Sequence, residues 1–123
     1  MALTCREDPT ADLFELTVDG SVTQAEFDDV MARLDAFITQ QGSIRLLEIV
    51  RHFNLSDVTL SMFWEGVKFD IHNLRHIRRA AIVSDIGWIS PWTKFAGSLM
   101  STEVRVFPLA ELDAARAWLV TEA

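Results

Sequence analysis

The stretch F-D-I-H-N-L-R-H-I-R-R, residues 69–79, concentrates the residue types best able to do chemistry. It holds two of the chain's three histidines, one aspartate and three arginines. His72 and His76 stand four apart, a spacing that sets two imidazoles on one face of a helix, where a metal such as Zn²⁺ can be held. Extended through His76, a helix here places Glu65, His72 and His76 within about 40° of one another at about 100° per residue. Three features argue against a metal centre. The face lies nearly opposite the apolar stripe of Leu60, Val67 and Ile71, so it points to solvent, where no outer partners orient the rings. A strand is expected to begin near residue 80, which ends the helix before His76. Arg75, Arg78 and Arg79 crowd the place with positive charge. The simpler reading is a helix C-terminus whose cations complement the negative end of the dipole. No metal and no cofactor is expected.

The same cations define a candidate basic patch, Lys68, Arg75, Arg78 and Arg79, on an otherwise acidic chain. Such a patch can attract an anionic ligand or an acidic partner. A helix C-terminus is the wrong end for phosphate, however, and a solvated charged face is the plainer reading. A second candidate is aromatic. Trp88 and Trp92 bracket G-W-I-S-P-W, just beyond an expected strand at 80–84, and Trp64 opens the helix after an expected strand at 44–50. In open α/β sheets ligands bind beyond the carboxyl ends of the strands. Trp64, Trp88, Trp92 and Phe95 are therefore a candidate ligand pocket, with Asp85 at its rim, or a candidate interface. Core packing is the plain alternative for aromatic residues at helical spacing.

Other chemistry is missing from the sequence. It has no Gly-x-Gly-x-x-Gly, no Walker A loop, no pair of cysteines and no Gly-x-Ser-x-Gly. Ser84 and Asp85 with His76 match a triad in composition only. The remaining acids, Asp57 and Asp70 among them, read as solubilising charges. No enzymatic activity is expected.

The elements that must position these residues follow from pattern. The chain has 123 residues, half of them hydrophobic, with a mean hydropathy of +0.18, which fits one domain with a single sizeable core. A net charge of −7 and a pI near 4.8 make it a poor nucleic-acid binder. Cys5 is the sole cysteine, so no internal disulfide forms, which suits a reducing compartment. The first residues lack the basic and apolar regions of a signal peptide, and no apolar run approaches membrane-spanning length. A soluble, cytoplasmic protein is expected.

Two short strands joined at E-D-P-T-A-D open the chain, the second alternating over 13–18 so that one face is better buried. V-T-Q-A-E-F at 22–27 is a capping box with a hydrophobic staple: Thr23 caps, Glu26 reaches back to the Thr23 N–H, and Val22 meets Phe27. Phe27, Val30, Met31, Leu34, Phe37 and Ile38 then form one helical stripe, and Gly42 stops it. I-R-L-L-E-I-V at 44–50 reads as a central strand followed by a loop, R-H-F-N-L-S-D. A second helix is expected from about Val58 to Asn73, a strand at 80–85, and a third helix begun by Ser90 and Pro91. E-V-R-V-F at 103–107 is the last strand. Residues 109–120 are the last helix, with Leu112, Ala115 and Leu119 in one row beside Trp118. The order β-β-α-β-α-β-α-β-α implies parallel strands after an antiparallel first pair.

That order resembles the SpoIIAA-like proteins, whose fold is related to STAS domains. The residues carrying the resemblance are D-G-x-V-T at 19–23, G-S-I-R-L-L at 42–47, W-E-G-V-K-F-D-I-H at 64–72, R-A-A-I-V-S-D-I-G-W at 79–88, E-V-R-V-F, and A-A-R-A-W-L near the end. The resemblance implies a mixed, mostly parallel sheet of about five strands with four helices, and no enzymatic activity. STAS regulators are phosphorylated in an Asp-Ser-Ser/Thr-Gly motif. The matching region here, F-N-L-S-D-V-T-L-S at 53–61, has Ser56, Thr59 and Ser61 but lacks the motif, so the resemblance carries no phosphoacceptor onto any residue. The expected function is a binding or regulatory module acting through a protein partner or through self-association as a homodimer. A carrier of a small apolar or lipid-like ligand, by analogy with the similar CRAL-TRIO architecture, is the alternative.

Overall fold

Alternating side chains at both ends of a proline turn make the first two strands a hairpin. In the structure, a computed structural model that describes residues 2–52, 76–85 and 103–121, β1 is Leu3–Asp8 and β2 is Leu13–Asp19, paired antiparallel. The turn closes with the Ala11 N–H donating to the Asp8 carbonyl at 3.2 Å, and Asp12 takes the left-handed conformation at φ 54°. Aspartate tolerates that region better than most residues because its short side chain bonds locally.

Helix α1, Gln24–Gln41, starts as its capping box requires. The Thr23 hydroxyl accepts from the Glu26 N–H at 3.2 Å. Glu26 does more than close the box: its carboxylate also accepts the Leu3 N–H at 3.0 Å, which fastens the helix start to β1. Hydrogen bonds from the Leu3 backbone and from the Thr23 hydroxyl and backbone outweigh its desolvation and hold Glu26 below the usual carboxylate range. Val30, Leu34, Phe37 and Ile38 are buried on the expected stripe. Gly42, at φ 84°, ends the helix by donating to the Ile38 carbonyl at 2.8 Å.

The sheet has strand order β1-β2-β3-β4-β5, where β3 is Ile44–His52, β4 is Ile77–Ser84 and β5 is Glu103–Phe107. The pairs β2–β3, β3–β4 and β4–β5 are parallel, and β3 is central as expected. A 3₁₀ turn at Leu109–Glu111 leads into helix α2, Leu112–Val120, so the first turn of the last expected helix is not α-helical. Among the described residues there are two α-helices. The two further helices expected from the sequence fall outside the described residues.

The helices cover opposite faces. Phe14, Leu16, Ile44, Leu46 and Ile77 join Val30, Leu34, Phe37 and Ile38 in one core. Leu13, Leu47, Ile49, Ala81 and Val83 join Ala115 and Leu119 in the other. Neighbouring residues of a strand point to opposite faces, so Leu46 and Leu47 divide between the two helices. This corrects the one-sided burial expected of β2: Leu13, Phe14, Glu15 and Leu16 are all buried, because α1 lies over one face and α2 over the other.

Glu15 corrects a second expectation, that the acids are solubilising. Its side chain is 7% exposed and meets Arg6 of β1 at 2.6 Å and Arg116 of α2 at 3.0 Å. Burial alone pushes this carboxyl up. The hydrogen bonds and charges of Arg116 and Arg6 outweigh it and hold Glu15 below its ordinary value of 4.5. Arg116 Nε is buried without a hydrogen-bond partner among the described residues, so the guanidinium is spent on Glu15 at some desolvation cost.

A polar clasp closes the amino edge of the parallel strands. Asp12 accepts from Arg78 at 2.7 Å and from Gln41 at 2.6 Å, and its carbonyl accepts the Arg45 N–H at 2.7 Å. The Arg45 guanidinium donates to the Ala11 carbonyl at 2.7 Å.

Two outcomes are expected from equilibrium urea unfolding. Leu47→Ala, at a fully buried position between two strands and α2, costs about 2–5 kcal/mol. Glu15→Ala costs about 1–3 kcal/mol, because both arginines are left without their acceptor but remain partly solvated. A carboxyl whose folded pKa is depressed stabilises the fold fully above its unfolded pKa and loses that contribution as pH falls through the folded value. Stability therefore falls as pH drops below about 4.5, and Glu15→Gln, measured across the same pH range, flattens that part of the slope.

Candidate functional site

Because β2 to β5 run the same way, their carboxyl ends, Asp19, His52, Ser84 and Phe107, lie along one edge of the sheet. β1 is antiparallel, so its start, Ala2 and Leu3, joins that edge too. Strand ends meet here with main-chain bonds already satisfied: Asp19 N–H donates to the Ala2 carbonyl and Gly20 N–H to the His52 carbonyl, both at 2.7 Å. Gly20 turns the chain at φ 114°, a conformation that favours glycine.

The β2–β3 register shifts between Val18 and Asp19, so Val18 pairs with Val50 and Asp19 with His52, with Arg51 as the extra residue. A bulge of this kind redirects side chains at a strand end. It brings the Asp19 carboxylate 2.7 Å from His52 Nδ1. A carboxylate only accepts, so Nδ1 carries the proton and the ring is oriented by Asp19. The His52 side chain is 81% exposed and that of Asp19 51%, so an ordered ring presents its Nε2 to solvent. The pair corrects the loop expected at 51–57, since Arg51 and His52 belong to β3. Asp85 lies further along the same edge, where its carboxylate accepts the Leu109 N–H at 3.0 Å and so positions the turn before α2.

The basic residues are placed differently from the sequence expectation. β4 begins at Ile77, so Arg78 and Arg79 stand on a strand and not at a helix end. The reason is a second bulge: Ile44 pairs with Ile77 and Arg45 with Arg79, leaving Arg78 as the extra residue. Its irregular register hides the strand's period of two. Arg78 is held by Asp12. Arg79 donates to the Trp118 and Thr121 carbonyls, both at 2.8 Å, and lies 3.5 Å from Glu103. Its guanidinium also sits 4.9 Å from the Trp118 ring centre, where it closes the end of α2. The two arginines thus go to separate partners. Lys68 and Arg75, like Trp64, Trp88, Trp92 and Phe95, lie outside the described residues, as do Glu65, His72, Ser56 and Thr59.

His76 lies just before β4 at the amino edge, its Nδ1 3.2 Å from the Gly42 carbonyl. Ser84 closes the other end of the same strand. At about 3.3 Å per residue the two are about 25 Å apart, so they form no triad with Asp85. Among the described residues no group of three His, Cys, Asp or Glu side chains could hold a metal ion. Among the described residues no helix is long and apolar enough to cross a membrane.

The sheet order and the placement of α1 and α2 are those of a known class of α/β domain. The SpoIIAA-like family model matches residues 13–120, and the chain belongs to that family. Its fold is also similar to the crystal structure of an uncharacterized DUF3478-family protein with a SpoIIAA-like fold from Shewanella loihica PV-4. The likeness has a TM-score of 0.70 at 16% identity and covers 96% of this chain and 92% of that one. No curated protein matches the sequence.

Exposed ion pairs contribute little to stability, so the Asp19–His52 pair is expected to be a surface feature and not a brace. Asp19→Ala and His52→Ala should each leave the urea midpoint unchanged. A large fall in either would show that the pair holds the sheet edge together.

Proposed function

We propose that this protein is a non-enzymatic binding or regulatory module that engages a protein partner through the carboxyl edge of its sheet. The observation that carries this reading is the Asp19–His52 pair: an oriented, largely exposed polar group at a strand end, on the edge where open α/β sheets bind. A preordered side chain loses less entropy on binding than a free one. Membership of the SpoIIAA-like family supports a regulatory or binding role of this general kind.

The polar side chains elsewhere support the choice of edge. At the amino edge Asp12, Gln41, Arg45, Arg78 and His76 are engaged with one another or with main chain. On the face under α2, Glu15 is engaged with two arginines. In sequence, Trp88 and Trp92 follow three and seven residues after Asp85, and aromatic residues are enriched where proteins meet. The reading assigns no chemical step to Ser84, which is buried, or to Asp85, which is committed to Leu109.

Site-specific photocrosslinking in cells tests this. A benzoylphenylalanine at position 52 should give a discrete protein adduct, and the same group at Asp29, on the exposed side of α1, should not. Asp19→Ala should leave expression unchanged and weaken the interaction of the otherwise unaltered protein with whatever is captured. Equal capture from both positions, or none from 52, contradicts the proposal. Native mass spectrometry that finds a small molecule retained until denaturation would favour the carrier of an apolar ligand instead.

A further inference from the structure

β1 and β5 are the two edge strands of the sheet, and among the described residues each has one side unpaired. An edge strand is a template for another strand, and proteins protect such edges with charge. Two copies of one strand pair antiparallel about a twofold axis, and a continuous sheet keeps each residue on its own face. Only registers that place residues of one face opposite one another are therefore allowed.

For β1 no register gains an ion pair without a clash. Centring the axis on Arg6 places Arg6 opposite Arg6 of the second copy. Centring it on Glu7 gains an Arg6–Asp8 match but places Glu7 opposite Glu7, and like charges directly opposite are destabilising. An axis through Cys5 avoids like-charge pairs but places Arg6 opposite Thr4 and Glu7 opposite Leu3, so no opposite charges meet.

β5 is different. Glu103 and Arg105 share one face of the strand, two residues apart. An axis through Val104 places Glu103 opposite Arg105 of the second copy, and Arg105 opposite its Glu103. The register gives two cross-strand ion pairs by symmetry and no like-charge pair between them. Both side chains are available for this. Glu103 is 57% exposed and only loosely paired, at 3.5 Å, with Arg79. Arg105 is exposed and rests against the Trp118 ring at 5.0 Å, with no carboxylate partner among the described residues. Helix α2 packs over β3 and β4 and reaches β5 through Trp118, which lies against Arg105 and Phe107.

We infer that β5 is a self-association edge that accepts a second copy of this chain in antiparallel register about Val104, held by reciprocal Glu103–Arg105 pairs. The inference rests on the reading of this chain as a module that works by protein contact, but it uses a different surface. A paired stretch this short makes a weak, concentration-dependent dimer.

Sedimentation velocity at low salt tests it with the intact protein and charge variants. The wild-type mass should rise from 13.9 kDa toward twice that value as concentration increases. Arg105→Glu and Glu103→Arg should each weaken association about tenfold or more, by placing like charges opposite. An equimolar mixture of the two should associate, because the heterodimer restores both pairs. The double variant E103R/R105E should dimerise like wild type. Glu103→Gln and Arg105→Gln, which introduce no clash, cover the case in which a reversal disturbs folding; each should weaken the dimer less than the reversal does. A wild type that stays monomeric, or a dimer indifferent to all these changes, overturns the inference. Neither result bears on crosslinking through position 52, which stands or falls separately.

Discussion

A carboxylate buried inside a sheet must find cations, and in this protein the need of Glu15 joins the two ends of the chain. Arg6 comes from β1 and Arg116 from α2, 101 residues further on than Glu15. Around it the face is apolar, with Leu13 on the same strand and Leu47 opposite it in β3. A carboxylate in that setting with either arginine missing would be a costly charge. Arg116 thereby ties α2 to the face of the sheet that carries Glu15. Once α2 is docked, Ala115 and Leu119 bury fully against the middle strands, and the second core closes.

The rest of the polar chemistry divides between the sheet's two ends. At the amino edge a left-handed aspartate gathers Gln41 and Arg78 to its side chain and the Arg45 N–H to its carbonyl, joining the hairpin turn, α1, β3 and β4. These bonds are directed inward and leave little for a partner. At the carboxyl edge main-chain bonds hold the strand ends, while the Asp19–His52 pair is turned outward. One end is fastened inward, and the other presents an exposed side-chain pair.

How much of this was legible depended on regular period. The stripe of α1, its Thr23 cap and its Gly42 stop were readable because each obeys a local rule of spacing. The central position of β3 followed from an apolar run between breakers, and the SpoIIAA-like fold from the order of such pieces. The failures share a cause. Both bulges, at Arg51 and at Arg78, break the alternation that marks a strand, so pattern alone reads His52 as loop and Arg78 and Arg79 as a helix end. Glu15 was missed because its partners are remote in sequence, and no local pattern distinguishes a buried acid from a solvated one. Asp19 had one available signal: an Asp-Gly pair closing a strand marks a turn at its carboxyl end.

The aromatic residues Trp64, Trp88, Trp92 and Phe95 follow the strands whose ends make the proposed surface, in chain order, and the same edge is where the account places recognition. Amide hydrogen exchange measured with and without the captured partner tests that claim most directly. Slowed exchange is expected in peptides containing Asp19–Gly20, His52 and Asp85, and no change in those containing Asp12, Gln41 and His76. Protection confined to the amino edge would contradict it.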